Sequence, residues 1–122
     1  MSWNKVASGI FASQPGDLEG PVRMVIGLQQ IVALMKEPVG EPCIIVTDVA
    51  GGSAVSTIIK RAKAIISTIG GPNSHIVVVA RDYRVPCIVG AAELPLETLT
   101  NGDRMRMLAD GTVELWKDEA DG

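Results

Sequence analysis

Short apolar runs separated by turn-rich segments recur along this chain, and their patterns predict most of its strands. Four segments have the compact apolar or alternating pattern of a strand: 5–13, 20–27, 42–48 and 63–68. A fifth, "CIVG" at 87–90, is short and apolar. The last two segments, 103–110 and 112–116, predict a closing hairpin around Asp110 and Gly111.

Two other segments, 28–37 and 52–62, repeat apolar residues at helical intervals and predict helices. Their apolar faces comprise Leu28, Ile31, Leu34 and Met35 in the first and Val55, Ile58 and Ile59 in the second. Pro38 is expected to end the first helix. Strands alternating with helices in 122 residues indicate one mixed α/β domain, 1–122.

The segment 74–83, "SHIVVVARDY", has two interpretations. Its β-branched run favours a strand by propensity. Asn73 or Ser74 at its start would also suit the cap of a helix, with Ile76, Val79 and Ala80 on the inner face. Local sequence alone leaves both conformations open.

Composition and charge indicate the nature of the core and argue against nucleic-acid binding. Apolar residues make up 47% of the chain and aromatic residues only 3%, so the core must be aliphatic. The net charge is -3, and the one basic cluster, Lys60, Arg61 and Lys63, has no aromatic residue among its members. Nucleic-acid binding is therefore not expected.

The two cysteines, Cys43 and Cys87, do not form a Cys-x-x-Cys pair, and one histidine, His75, cannot complete a zinc site with them. We expect free, buried thiols in a reducing cytoplasm.

The N-terminus lacks the apolar core of a signal peptide, and no apolar run reaches membrane-spanning length. These features predict a soluble, cytoplasmic protein without membrane contact.

Other enzyme motifs are absent from the sequence. Ser74 and His75 are adjacent, and neighbouring side chains rarely face one another as a catalytic dyad does; no Gly-x-Ser-x-Gly elbow occurs. The sequence also contains neither a Gly-x-Gly-x-x-Gly nor a Walker motif, so nucleotide binding is not predicted.

The segment around the histidine, "AIISTIGGPNSHIVVVARDYRVPCIVG", resembles the phosphohistidine (mobile) domain of phosphoenolpyruvate-utilising enzymes. The shared positions are Gly70, Gly71, Ser74, His75, Ala80, Arg81, Pro86 and Gly90. The opening loop "ASQPGDLEGPVRMV" and the closing hairpin are similar too, so the resemblance covers nearly the whole chain. It implies a swivelling β/β/α fold, in which 74–83 is a helix.

The resemblance implies that His75 accepts a phosphoryl group. Imidazole is largely neutral at pH 7, so a ring nitrogen can attack phosphorus. A histidine at a helix start would place the phosphoryl oxygens near free N–H groups. Gly70 and Gly71 would allow close approach, and Asn73 and Ser74 would hydrogen-bond the imidazole or the phosphoryl group. Arg81, six residues further on, is expected to point away.

The family carries its other sites on separate domains, an ATP-grasp domain and in several members a TIM barrel. We therefore expect a free-standing carrier that holds no cofactor or metal itself. Mg²⁺ and ATP or phosphoenolpyruvate would be bound by an ATP-grasp chain and by a chain that binds phosphoenolpyruvate, pyruvate or another acceptor, as in phosphoenolpyruvate synthase or phenylphosphate synthase systems. The carrier would dock through the rim formed by Gly70, Gly71, Pro72 and His75.

The sequence departs from the family pattern at four positions, and the crowding expected from Ile76 and Val77 favours an alternative, a binding or regulatory module that kept the fold and lost the transfer. Gln14 interrupts the opening loop, and Asn73 stands where Thr is common. Ile76 and Val77 replace residues that are often small, and are expected to crowd the histidine.

Overall fold

A computed structural model describes residues 2–38, 40–48, 56 and 59–117. Its strands are β1 Ser2–Ser8, β2 Ile10–Ser13, β3 Leu18–Val25, β4 Cys43–Thr47, β5 Ala62–Ser67, β6 Cys87–Val89, β7 Arg104–Met107 and β8 Thr112–Lys117. Its helices are α1 Gly27–Lys36 and α2 His75–Asp82, and a single 3₁₀ turn covers Ile59–Arg61.

These elements confirm most of the predicted ones and correct two. The strand predicted over 5–13 is two strands, β1 and β2, separated at Gly9. The helix predicted over 52–62 falls largely outside the described residues, Val55 and Ile58 included. Its last part differs from the prediction, because Ile59–Arg61 is a 3₁₀ turn and Ala62 already belongs to β5.

The strands follow the order β1-β8-β7-β3-β4-β5-β6-β2, and β3 belongs to two layers. Its first half pairs antiparallel with β7, where Leu18 lies opposite Met107, and its second half pairs parallel with β4, where Val22 lies opposite Ile44. At the switch the N–H of Val22 donates to the Asp103 carbonyl (2.7 Å), which keeps this edge of β3 paired.

The two end strands of that order, β1 and β2, are consecutive in the chain and meet at Gly9. The Gly9 N–H donates to the Gly111 carbonyl (3.0 Å), and a Cβ built on Gly9 would lie 2.5 Å from the Val89 carbonyl oxygen. Only glycine tolerates backbones this close together. The chain therefore turns sharply here, and the sheet folds over into two packed layers.

Two separate clusters of buried residues show three layers, sheet on sheet on helices. Between the two sheet layers lie Ala7, Val22, Ile44, Val46, Ala64, Ile66, Ile88, Ala91, Leu94, Leu99, Met105, Met107, Val113 and Leu115. On the other face of the parallel strands, residues such as Ile45 and Ile65 pack against the helices. This arrangement confirms the predicted swivelling β/β/α fold and the aliphatic core.

The strands β3, β4, β5 and β6 run parallel, so their carboxyl ends lie along one edge. We call this the carboxyl edge; it is marked by Val25, Thr47, Ser67 and Val89. Helices α1 and α2 follow β3 and β5, and each therefore begins at the carboxyl edge and ends at the opposite, amino edge.

A set of side-chain bonds fixes the end of α1 at the amino edge. Arg61 donates to the carbonyl oxygens of Glu37 (2.7 Å) and Met35 (3.2 Å), which have no intrahelical donor at a helix C-terminus. Arg23 on β3 forms a two-pronged ion pair with the Glu37 carboxylate. The end of α1 is thus tied both to β3 and to the turn that precedes β5.

Candidate functional site

The loop that leads from β5 to α2, residues 68–74, is anchored at the carboxyl edge by backbone hydrogen bonds. The Thr68 N–H donates to the Thr47 carbonyl (3.1 Å) at the end of β4. On the other side, the Gly90 N–H donates to the Ile69 carbonyl (3.2 Å), just after β6. Because both neighbouring strands hold the root of the loop, its tip is presented on a rigid base.

The two predicted glycines of this loop have different roles. Gly70 has φ of 96°, in the left-handed region that side chains disfavour, and its carbonyl oxygen lies where a Cβ on Gly90 would approach to 3.3 Å. A Cβ on Gly71 would meet no atom within 4 Å. The fold therefore requires glycine at 70, whereas Gly71 faces open space that a ligand or partner can enter.

Ser74 occupies the N-cap of α2, but its hydroxyl does not cap the helix. Both its N–H (3.0 Å) and its Oγ (2.7 Å) donate to the Gly71 carbonyl, which closes the turn 71–74. The first helical bonds run from Val77 and Val78 to the Ser74 carbonyl. The amides of His75 and Ile76 come before these bonds and have no acceptor within the helix.

His75 is the first residue of α2, and its side chain is exposed. Four of the following residues, Ile76, Val77, Val79 and Ala80, are buried against the parallel strands. This packing explains why a β-branched segment is helical: the burial of an apolar face outweighs a propensity difference of ~0.5 kcal/mol per residue. The helical interpretation of 74–83 is confirmed, with Val77 added to the predicted inner face.

The expected crowding of the histidine does not occur. Ile76 and Val77 are each 0% exposed and belong to the cluster between the sheet and the helices. A side chain that faces the core cannot obstruct an exposed His75. The two larger residues fill the core and leave the approach to the imidazole open.

Asn73 and Arg81 lie at opposite ends of α2. Asn73 is exposed in the loop, next to Ser74. Arg81, near the end of α2, donates from Nε to the Ala12 carbonyl of β2 (3.1 Å). The prediction that Arg81 points away from His75 is therefore confirmed.

Gln14 also lies away from His75. It follows Ser13, which pairs with Cys87 at the amino end of β6. Its φ of 48° is unusual for a residue with a side chain, and the side chain is exposed. The interruption of the opening loop is thus accommodated at the amino edge by a left-handed turn.

Both cysteines are free thiols, as predicted; Cys87 is buried, as expected, whereas Cys43 is only partly buried. Burial raises the pKa of Cys87 to about 12 and also raises the pKa of the half-buried Cys43. Within 2–38, 40–48, 56 and 59–117, no group of three potential ligands is placed to hold a metal ion. The site as described consists of one imidazole, backbone amides, a hydroxyl and an amide side chain.

Sequence reasoning missed the apolar residues that border the loop. Ile69 is 51% exposed beside Gly70, and Ile10 is 49% exposed opposite Val89 at the start of β2. The sequence carries no signal that Ile10 lies beside the end of β6, since this depends on the antiparallel pairing of β2 with β6.

Among the described residues, no helix has the length and apolar character needed to cross a membrane.

A family model of the PEP-utilising enzyme mobile domain matches residues 39–112, which contain β4, β5, the loop and all of α2. The chain belongs to this family. The family likeness and the exposed His75 at the start of α2 agree with the predicted resemblance to phosphohistidine domains.

A curated relative is consistent with this assignment. Phosphoenolpyruvate synthase from Pyrococcus furiosus is 33% identical to this chain over 107 residues, which cover 88% of this chain and 12% of the synthase. The chain thus corresponds to a small part of that enzyme.

Two solved structures share the fold. Aconitase X from Thermococcus kodakaraensis superimposes with a TM-score of 0.62 and 18% identity over 93% of this chain and 99% of that one. Enzyme I (nEIt) superimposes with a TM-score of 0.53 and 22% identity over 66% of this chain and 33% of that one. At these identities the likeness is one of architecture.

Proposed function

We propose that this protein is a phosphohistidine carrier that accepts a phosphoryl group on His75 and passes it to a second molecule. The observation that carries the proposal is the exposed imidazole of His75 at the start of α2, on the carboxyl edge, in a chain of the PEP-utilising mobile domain family. A nucleophile that serves two partners in turn must be accessible to both.

Two displacements at phosphorus make up the transfer. A ring nitrogen of His75 attacks the donor phosphoryl group, an N–P bond forms, and the bond to the donor's leaving oxygen breaks. An acceptor hydroxyl oxygen then attacks the same phosphorus and loses its proton to water. The N–P bond breaks, and the imidazole leaves with its original electron pair, so His75 ends as it began.

The backbone around His75 is suited to hold the phosphoryl oxygens. The amides of His75 and Ile76 open the helix without intrahelical acceptors, and the positive end of the helix dipole lies there. Ser74 fixes the turn by its two bonds to Gly71, and Asn73 offers an amide to the imidazole or the phosphoryl group. Gly71 leaves space for the incoming group.

We assign the nucleotide, Mg²⁺ and phosphoenolpyruvate sites to partner domains or chains, among them an ATP-grasp unit. Support comes from the synthase relative, of which this chain corresponds to only 12%. A divalent ion would there neutralise the charge of the transferring phosphoryl group. The final acceptor is proposed to be a small molecule, with pyruvate or a phenol-type hydroxyl as the two candidates from the family resemblance.

A second candidate is a module that has the swivelling fold without phosphoryl transfer. The likeness to the aconitase X structure, which extends over 93% of this chain, supports this candidate, because the same architecture occurs there in a protein that is not named as a phosphotransferase. The state of His75 in a transfer assay distinguishes the two candidates, since a non-transferring module gains no phosphoryl group.

Incubation with the ATP-grasp partner, ATP and Mg²⁺ tests the proposal. The chain should gain one phosphoryl group that is labile in acid and stable in base, and His75→Ala should remove it while the fold is retained. The purified chain alone should neither hydrolyse ATP nor consume phosphoenolpyruvate. Acid-stable phosphorylation, or phosphorylation of the substituted chain, would contradict the carrier function.

A further inference from the structure

We infer that the carboxyl edge is a docking surface for a protein surface that bears arginine or lysine side chains, and that phosphorylation of His75 switches this docking on. The inference rests on the proposed function and adds the chemistry of the partner. It follows from the distribution of charge in the chain, from the groups available to hold the phosphoryl group, and from the apolar residues around it.

The described segments that follow β3, β5 and β6 at the carboxyl edge contain no basic residue. The chain has 11 Lys and Arg, and none of them lies within 26–35, 64–80 or 85–103. These ranges include the loop 68–74 and the first turns of both helices. Among the described residues, these segments thus offer no basic side chain to a phosphoryl group on His75.

The basic residues are concentrated elsewhere. Five lie at the ends of the helices and in the turn before β5, where the chain reaches the amino edge: Lys36, Lys60, Arg61, Arg81 and Arg84. Six lie on strands, with Lys63 near the start of β5: Lys5, Arg23, Lys63, Arg104, Arg106 and Lys117. Several of these already have partners in the fold, among them Arg23 with Glu37 and Arg106 with Glu114.

Uncharged donors, namely backbone amides and the side-chain amide of Asn73, are therefore the groups that this edge offers to a phosphoryl oxygen. Helices α1 and α2 both begin at the carboxyl edge, and neither has an acidic residue in its first turn. Hydrogen bonds from neutral amides are about half as strong as those from charged donors. Such a site keeps the phosphoryl group in place without the ionic bonds that would oppose its release.

Exposed apolar side chains border His75 on this edge. Ile69 and Ile10 flank the end of β6, and Val78, which is 47% exposed, lies one turn beyond His75 on the same face of α2. Pro72 is exposed in the loop itself. An apolar border around a polar centre is the usual anatomy of a protein-binding surface.

Phosphorylation changes the charge at the centre of this surface. A phosphoryl group adds a charge of about −1.5 to −2, in a region whose own ionisable side chains include the acidic Asp48 and Glu93. A surface of Lys or Arg side chains is attracted strongly to the phosphorylated edge and much more weakly to the unphosphorylated edge. The carrier therefore docks on such a partner when loaded and leaves it when unloaded.

The test uses the full chain and a hexa-arginine peptide as the probe. Potassium phosphoramidate phosphorylates His75 chemically: the imidazole attacks phosphorus, the P–N bond of the reagent breaks, and ammonia leaves. At low salt the phosphorylated chain should bind the peptide about tenfold more tightly than the unmodified chain. At about 0.5 M salt this gain in affinity should be lost. Isothermal titration calorimetry measures both affinities.

Two matched variants show whether the gain belongs to this edge. Val78 and Tyr83 are both on or next to α2 and are both 47% exposed, but only Val78 is one turn from His75. Val78→Arg supplies a cation within the chain and should abolish the phosphorylation-dependent gain, whereas Tyr83→Arg should retain it. Equal affinities of the modified and unmodified chains, or equal behaviour of the two variants, would overturn the inference. If phosphoramidate fails to modify His75, the carrier function itself is contradicted as well.

Discussion

Ser74 donates two hydrogen bonds to the carbonyl oxygen of Gly71, one from its backbone N–H and one from its hydroxyl. A serine at the N-cap ordinarily bonds the amides of the first helical turn. Here the hydroxyl turns back to the loop, which leaves those amides to a ligand and fixes the turn on which His75 follows. The Ser74 hydroxyl thus stabilises the loop 71–74 instead of capping α2.

Ser74→Ala should loosen this turn and slow the phosphorylation of His75 several-fold, with a loss of ~1 kcal/mol in the free energy of unfolding. Thr98→Ala is a matched control, because the Thr98 hydroxyl also bonds a carbonyl three residues back, that of Pro95 (3.1 Å), away from the site. Stopped-flow or quench measurements of phosphorylation and urea unfolding separate the two effects. A rate loss as large in Thr98→Ala would show that the Ser74 bond has no special role.

Alanine should destabilise the fold at Gly70 but have little effect on stability at Gly71. Gly70→Ala places a side chain at φ of 96° and should cost ~1–2 kcal/mol. Gly71→Ala meets no atom within 4 Å and should leave stability within ~1 kcal/mol of the parent. Thermal unfolding measures both. Gly71→Leu, folded but bulky, should reduce transfer from the donor partner; an unchanged transfer rate would exclude Gly71 from the approach path.

The ion pair at the end of α1 predicts a pH dependence of stability. The hydrogen bond from Arg23 lowers the pKa of Glu37 below its ordinary value of 4.5. The pair therefore stabilises the fold above the pKa that Glu37 has when unfolded, and this stabilisation is lost as the pH falls through the lower, folded value. The pair is at the surface, so salt should weaken it.

Urea unfolding at pH 7 and pH 3 tests this dependence. Glu37→Gln should lower stability at pH 7 and have a smaller effect at pH 3, because the stabilisation by the ion pair declines once the pH falls below the ordinary pKa of a glutamate. Glu41→Gln, an exposed position of the same region, serves as the control. An effect of Glu37→Gln that is the same at both pH values would mean that the ion pair contributes nothing.

The two thiols should differ in reactivity toward iodoacetamide at pH 8. Burial raises the pKa of Cys87 to about 12, so its reactive thiolate is scarce in the folded protein and its side chain is inaccessible. Cys43 is half-buried and should react slowly, whereas Cys87 should react only after unfolding in urea. Mass spectrometry of the labelled peptides gives the order; modification of Cys87 before Cys43 in the native protein would contradict the packing described.

Much of the fold could be predicted because the apolar patterns are local. The strands, helix α1 and the closing hairpin follow from periodicity and turn residues. Helix α2 could not be decided in this way, because its residues have strand propensity and its helicity depends on packing against β2 and β6. The pairing of β3 with both β7 and β4 joins residues distant in sequence. The sharp turn at Gly9 likewise depends on a distant contact, the hydrogen bond from Gly9 to Gly111.

The sequence indicates which residues to propose for the candidate site, but not what surrounds them. The motif predicts His75 as the reactive residue because a single histidine stands behind two glycines and before an apolar run. The motif does not reveal that Ile76 and Val77 face the core, since a helix and a strand would orient them differently. The concentration of basic residues away from the carboxyl edge becomes visible only when the strand order is known.

The most direct test of the central claim is to locate the phosphoryl group after reaction with the donor partner. Electron-transfer dissociation of a peptide prepared at neutral pH distinguishes His75 from the adjacent Ser74, and phosphorus NMR distinguishes an N–P from an O–P bond. The carrier function predicts one phosphoryl group on a ring nitrogen of His75, lost in acid and absent from His75→Ala. An acid-stable phosphoester on Ser74, or a chain that remains unmodified beside an active donor, would contradict it.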